Sequence, residues 1–229
     1  MTNYINNSSL TLACVVYTLL TYINIANAFT TEEERWLNSD DETDVSEVNE
    51  GQLVFINKPT NKKILHSINK LTITKKSIED GWVKLLQCYR NLDQLNQVEI
   101  TYKYRFIKNL TIISTTNIES ARIVKQNIEL TNIKNNSELC VSADVRIFYQ
   151  NEDLSFSLVN GPYHRRFLDG FYPYHVSLHI SYPESLLSFV SSTPKEQKGF
   201  SIVRKNNELV IDSYFEGILN TEVRFELRK

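Results

Sequence analysis

Glycine, proline and methionine are scarce in this sequence. Its 229 residues include six glycines, five prolines and one methionine. This scarcity excludes collagen-like and low-complexity proteins, which contain far more glycine or proline. The apolar fraction of 41% can supply a hydrophobic core, and the length suits one sizeable domain.

Several motifs of enzymes are also missing. The sequence contains no G-x-G-x-x-G or G-x-x-x-x-G-K loop for phosphates, and no G-x-S-x-G nucleophile motif. It has no C-x-x-C pair for redox chemistry and no basic cluster with interleaved aromatic residues for nucleic acids. We therefore expect a non-enzymatic protein that does not bind nucleic acid.

The first 28 residues lack charged side chains altogether. An apolar run over residues 10–28 ends in Ala26-Asn27-Ala28, which is typical of a signal peptide with its cleavage site. The alternative is a retained membrane anchor over residues 10–28, because nineteen residues are just long enough to span a bilayer. Both interpretations predict export, to the periplasm or the extracellular space, with membrane contact only through an uncleaved N-terminal segment.

Cysteine is rare as well, with three residues in the chain. Cys14 lies in the predicted signal peptide, which leaves Cys88 and Cys140 in an oxidising compartment. We expect these two to form a disulfide, with two buried free thiols as the alternative. Cys140 lies opposite the apolar face of its predicted strand, so a bridge would join neighbouring strands or clip a loop.

Charge is unevenly distributed along the chain. Residues 29–50 contain nine acidic residues and one arginine, whereas residues 51–229 contain 24 basic and 18 acidic residues. An acidic run of this kind is usually solvated and unstructured. The sequence therefore predicts a signal peptide at 1–28, an acidic disordered tether at 29–50 and a single domain at 51–229.

Within that domain, apolar and polar residues alternate. The alternation is clearest in residues 98–106, 139–147 and 176–182, and a period of two is typical of half-buried antiparallel strands. Further strands are predicted at residues 52–56, 70–74, 82–89, 110–115, 120–130, 154–159, 200–204, 208–215 and 220–227.

Helical patterns are nearly absent from the sequence. The best candidate is a short helix near 183–190, with Pro183 in its first turn and Leu186, Leu187 and Val190 facing inward. The sequence thus predicts an all-β domain of about ten to twelve strands, an antiparallel sandwich or a flattened barrel, with one short helix.

The histidines show no spacing typical of a metal site. His175 and His179 would lie about 13 Å apart on a strand, too far to share an ion. His164, His175 and Asp169 could meet across a loop, but no H-E-x-x-H motif supports that arrangement. We therefore predict no metal site and no cofactor.

Reactive side chains concentrate in residues 160–175, "NGPYHRRFLDGFYPYH". As a binding loop, this segment would offer aromatic faces, two cations and a titratable ring. As a structural corner, it would pair an arginine with Asp169 and close one end of the sandwich with its rings. The candidate binding residues are Tyr163, His164, Arg165, Arg166, Asp169, Tyr172 and Tyr174.

Three functions are compatible with these patterns. The first is an exported binding or accessory protein that presents residues 160–175 to an unknown partner protein, since aromatic residues and arginine dominate interface hot spots. The second is a carrier that encloses a small apolar ligand in its sheet. The third is an extracytoplasmic hydrolase that uses His164 and Asp169.

Overall fold

The structure is a computed structural model that describes residues 49–59 and 63–228. The predicted signal peptide, and the predicted acidic tether up to residue 48, lie outside the described residues. All described residues fall within one compact unit, Val48–Lys229. No helix among them is long and apolar enough to cross a bilayer.

The described residues form fifteen β-strands and one short α-helix, which confirms the all-β class predicted from the alternating pattern. The strands are β1 (Val54–Phe55), β2 (His66–Thr72), β3 (Trp82–Arg90), β4 (Gln97–Thr101), β5 (Ile107–Val124), β6 (Asn127–Arg146), β7 (Phe148–Gln150), β8 (Phe156–Tyr163), β9 (Arg166–Phe167), β10 (Gly170–Phe171), β11 (Tyr174–Ser181), β12 (Leu187–Thr193), β13 (Phe200–Lys205), β14 (Glu208–Glu216) and β15 (Leu219–Leu227). The helix α1 (Lys75–Asp80) lies between β2 and β3.

The strands belong to two main sheets and a small hairpin. The large sheet has the order β1-β14-β11-β2-β3-β6-β4, with β13 also paired to β14 and β5 to β6. The small sheet has the order β12-β15-β8-β7, and β9 pairs with β10. Among the described pairs, β2 and β11 run parallel and the others antiparallel.

One hydrophobic core draws on both sheets. Leu85 of β3 and Leu178 of β11 represent the large sheet, and Leu158 of β8 and Phe225 of β15 represent the small one. All four are at most 2% exposed. A shared core of this kind is what a sandwich-like fold requires, because each sheet buries one face against the other.

The one short helix lies at α1 and not near 183–190, so the predicted position is wrong. Thr74 and Ser77 cap its start reciprocally, and Gly81 ends it in the left-handed region at φ 77°. A Cβ atom at Gly81 would lie 2.6 Å from the Phe148 carbonyl oxygen, so a larger residue does not fit there.

Residues 183–190 instead form a single turn followed by β12. The amides of Leu186 and Leu187 donate to the Pro183 carbonyl, and from Leu187 onward the chain pairs with β15. Pairing along a whole strand outweighs the weak local preference for a helix. Tertiary context therefore decides this segment.

The prediction of one continuous strand at 120–130 is also wrong. It crosses the turn between β5 and β6, which form one long hairpin with Lys125 at φ 58° in the turn. No glycine marks this turn, so nothing in the local pattern indicated it. The ladder predicted over 98–106 stops at Thr101, although Tyr102 still faces the core at 6% exposure.

The predicted disulfide between Cys88 and Cys140 is confirmed. The two cysteines are direct partners in the register of β3 and β6. Their neighbours Gln87 and Val141 are buried on the inner face, so the bridge lies on the outer face of the large sheet. It joins neighbouring strands, as the position of Cys140 opposite the apolar face indicated.

Candidate functional site

Residues 160–175 form a corner that carries the chain from the small sheet to the large one. The corner begins in β8, passes through the β9–β10 hairpin and ends in β11. Gly161 has φ 120°, and a Cβ atom there would lie 2.8 Å from the Leu219 carbonyl oxygen. The close approach to β15 therefore requires glycine at the start of the corner.

A cavity of about 400 Å³ lies against this corner. Its volume falls within the range of about 300–1,000 Å³ that is common for small-molecule sites. Its walls come from β3, the segment after β3, β4 with its continuation, and the corner itself. The lining residues are Leu65, Gln87, Tyr89, Leu92, Asp93, Leu95, residues 98–104, residues 161–167 and Tyr174.

Tyrosines from four parts of the chain converge on the cavity. Tyr89 belongs to β3, Tyr102 and Tyr104 follow β4, Tyr163 ends β8 and Tyr174 begins β11. Strand alternation turns Tyr89, Tyr163 and Tyr174 inward, whereas Tyr102 and Tyr104 lie beyond the end of β4. The cavity, which we call the tyrosine cavity, therefore combines aromatic faces with hydroxyl groups.

The hydroxyl groups of the tyrosine cavity are uncharged. Burial raises the pKa of each of the five tyrosines, and nearby phenols raise the pKa of Tyr89 and Tyr163 further. Each hydroxyl can therefore donate one hydrogen bond and accept others at neutral pH. The Tyr104 hydroxyl already donates to Asn160 Oδ1 at 2.7 Å.

Three buried polar atoms of the lining residues have no hydrogen-bond partner among the described residues: Gln87 Oε1, the Tyr163 hydroxyl and His164 Nδ1. Gln87 is 3% exposed and Tyr163 is 6% exposed. The Gln87 amide nitrogen donates to Ser67 Oγ at 3.0 Å, which leaves its oxygen as a free acceptor. Such atoms cost about 1–3 kcal/mol each when they stay unpaired, so a ligand that pairs them gains affinity.

Arg165 holds the corner against the segment after β3. Its Nε donates to Asp93 Oδ2 at 2.9 Å and its Nη2 donates to Asp93 Oδ1 at 2.5 Å. The guanidinium also lies 5.0 Å from the Phe167 ring centroid and 5.4 Å from that of Tyr172. The predicted pairing of an arginine with Asp169 is therefore wrong, because Asp169 accepts from the Tyr172 hydroxyl instead.

The structure divides the predicted binding residues into two groups. Those that line the tyrosine cavity are Tyr163, His164, Arg165, Arg166 and Tyr174. Asp169 and Tyr172 lie outside the lining. The opposite wall, with Gln87, Tyr89, Tyr102 and Tyr104, was not identified from the sequence. One pattern in the sequence could have indicated this wall, namely tyrosine at two successive inward positions, 102 and 104.

His164 and Asp169 do not come together as the hydrolase hypothesis requires. The His164 ring packs edge-on against Phe171 at 5.9 Å, and Asp169 bonds to Tyr172. Burial lowers the pKa of His164, with further lowering by Lys103 and Arg166. Among the described residues, no hydrogen bond joins His164 to Asp169.

A second group of polar residues, which was not predicted from the sequence, lies on the outer face of the large sheet. His66 Nε2 lies 2.8 Å from Ser177 Oγ, which donates to Asp212 Oδ1 at 2.6 Å. His175 Nε2 lies 2.7 Å from the same Asp212 oxygen. We call these four residues the outer cluster.

The pKa values of His66 and Asp212 in the outer cluster are both lowered, but for different physical reasons. Burial, and then the neighbouring His175, lower the pKa of His66 to about 4. Burial acts to raise the pKa of Asp212, but hydrogen bonds from His175 and Ser177 outweigh it and lower that pKa. Ser177 is 5% exposed and bonds directly to the carboxylate, so the cluster is not a Ser-His-Asp triad.

Comparison with models of known protein families and with characterised proteins found no match.

Proposed function

We propose that this protein acts outside the cytoplasm and binds a small, uncharged, partly polar ligand in the tyrosine cavity. One observation carries the proposal: Gln87 and Tyr163 line this cavity, and the buried atoms Gln87 Oε1 and Tyr163 Oη lack partners among the described residues. Binding sites place a few polar groups in a mostly apolar surface in this way.

The lining indicates the chemistry of the ligand. Gln87 Oε1 can only accept, so a ligand that reaches it would offer an O–H or N–H group. Leu92, Val98 and Ile100 contribute apolar surface, and the tyrosine rings can stack on a flat ligand. Arg165 pairs with Asp93, and the other charged lining residues, Glu99, Lys103 and Arg166, carry charges of both signs. A phenol, a cyclic alcohol or a sugar-like ring fits these requirements.

The proposed location rests on the disulfide and on the N-terminal sequence. Disulfides persist in oxidising compartments and are rare in the cytosol. The Cys88–Cys140 bridge therefore supports export, as does the uncharged apolar N-terminus. Oxidation in the folded protein is measured by thiol titration of protein recovered from the outside of the cell.

The ligand proposal is tested with a panel of neutral phenols, cyclic alcohols and methyl glycosides. Thermal shift identifies a class that raises the melting temperature, and calorimetric titration then gives affinity and stoichiometry. We expect one-to-one binding that Gln87→Met, a change of similar volume, weakens at least tenfold, about 1.4 kcal/mol. Asn69 still donates to Ser67 in this variant, so the surrounding network remains paired.

Tyr149→Phe is the matched control, because Tyr149 is exposed on β7 and does not line the cavity. It should bind the same compounds with unchanged affinity. The proposal is wrong if no compound class binds one-to-one, or if Gln87→Met binds as tightly as the unaltered protein.

A protein-binding function for the corner has one observation in its favour. Leu168 is fully exposed at the tip of the β9–β10 hairpin, where it makes no contribution to the core. An exposed leucine beside Arg166 and Phe167 suits an interface. Partner capture that Leu168→Ser abolishes, with small-ligand binding retained, would support this second function.

A further inference from the structure

We propose that His66, His175 and Asp212 form a site for a transition-metal dication, with Zn²⁺ as the representative ion, on the outer face of the large sheet. One ring nitrogen of each histidine and one carboxylate oxygen lie within 4.8 Å of one another. This proposal is independent of the ligand proposed for the tyrosine cavity, which lies on the inner face.

Strand register brings the three residues together. The parallel pairing of β2 and β11 sets His66 directly beside His175. The antiparallel pairing of β11 and β14 sets Asp212 opposite Ser177, which is the next outward position after His175. Since three hydrogen-bonded strands hold the backbone, the side chains are fixed near each other without help from an ion.

The donor set suits a borderline metal ion. Imidazole nitrogens and a carboxylate bind zinc and copper at about 2.0–2.2 Å, and zinc sites with three protein ligands leave a fourth position for water. The side chain of His175 is 13% exposed and that of Asp212 is 37% exposed. An ion can therefore reach the carboxylate from solvent, while both histidine side chains are partly buried.

Binding requires a limited rearrangement. The two imidazole rings stack at a centroid distance of 3.6 Å with an angle of 11° between their planes. A metal ion must lie near the plane of each ring, so the stack has to open. His175 is held between His66 and Tyr214, whose ring centroid is 3.9 Å away, and by Asp212. Within the described part of the chain, the His66 side chain has one hydrogen bond, to Ser177, so we expect His66 to rotate.

A bound ion would also replace the hydrogen bond between His175 and Asp212. His175 Nε2 and Asp212 Oδ1 are 2.7 Å apart, whereas two ligands of a tetrahedral zinc ion are separated by about 3.3 Å. Binding therefore removes the proton between them and widens the contact by roughly 0.6 Å.

Calorimetric titration of the folded protein with Zn²⁺, after treatment with a chelator, tests the site. We expect one-to-one binding that His66→Gln, His175→Gln and Asp212→Asn each weaken at least tenfold. His179→Gln is the matched control, because His179 lies on the same face of β11 but pairs with Glu208 at 3.1 Å. It should bind Zn²⁺ like the unaltered protein, and melting curves without metal establish that each variant is folded.

Proton NMR of the unaltered protein gives a readout that needs no variant. Zn²⁺ should shift the imidazole resonances of His66 and His175 at one equivalent and leave those of His164 and His179 in place. Lack of saturable one-to-one binding would overturn the proposal. So would equal affinity in the three ligand variants, or shifts confined to His164 and His179.

Discussion

Buried polar side chains on the inner face of the large sheet set this core apart from a purely apolar one. Asn69 and Gln87 both donate to Ser67 Oγ, and their own carbonyl oxygens have no partner among the described residues. Unpaired groups in a core reduce stability, and each one in a native protein calls for an explanation such as a ligand, an ordered water or a catalytic role. Gln87 lines the tyrosine cavity, so ligand binding in that cavity is the function that would account for its unpaired oxygen.

Tyr163 and Tyr104 offer a direct test at the scale of one hydroxyl group. Tyr163→Phe removes an unpartnered hydroxyl and should raise the free energy of unfolding by about 1 kcal/mol, because a buried unpaired group disappears. Tyr104→Phe removes the donor to Asn160 and should lower it by about 1 kcal/mol. Urea denaturation of the two variants measures both effects. Equal destabilisation by both would show that the Tyr163 hydroxyl is paired.

At the scale of elements, the β9–β10 hairpin is too small to be stable alone. It contains two residue pairs, Arg166 with Phe171 and Phe167 with Gly170. Short hairpins need packing against other elements to persist. Arg165 supplies such a contact, because its side chain is 15% exposed and forms a two-point pair with Asp93.

We expect the Arg165–Asp93 pair to contribute a coupling energy of about 1–2 kcal/mol, between the values for exposed and for buried pairs. A double-mutant cycle with Arg165→Gln and Asp93→Asn measures it. Amide exchange in residues 164–172 should accelerate in each variant, because the hairpin loses its anchor. The Arg90–Glu138 pair, with side chains 55% and 45% exposed, is the control and should couple by under about 1 kcal/mol. A coupling no larger than that control would contradict the anchoring role.

At the scale of the whole molecule, the disulfide links the centre of the large sheet to its long hairpin. Cys88 and Cys140 are separated by 52 residues, and closing a loop of this length restricts the unfolded chain by about 4 kcal/mol on the entropy model. Replacing both cysteines by alanine should lower the free energy of unfolding by up to about 4 kcal/mol, measured by urea denaturation. A change below about 1 kcal/mol would show that the bridge is not important for stability.

Most of the all-β architecture could be read from the sequence. Strands β3, β14 and β15 follow the predicted ranges 82–89, 208–215 and 220–227 to within one residue. Alternation succeeds there because each strand buries one face, and a period of two records that burial directly. It failed at 120–130, where the chain turns without a glycine, and the helix signals failed at 183–190, where pairing with β15 decided the outcome.

The candidate site could be predicted only in part. The corner at 160–175 is visible as a local concentration of aromatic and charged residues, and most of its predicted residues line the cavity. The opposite wall comes from residues 87–104, and no local pattern relates these to the corner. The outer cluster is harder still, since His66 and Ser177 are 111 residues apart.

By itself, the sequence determined the strand-rich class, the inward and outward faces of its strands, and the two cysteines available for a bridge. These properties depend on residues that are close along the chain. Only the tertiary structure decided which strands are neighbours, and therefore that Gln87 and Tyr163 share a cavity and that His66, His175 and Asp212 meet. Strand pairing and register place distant residues side by side, and that placement is a property of the folded sheet.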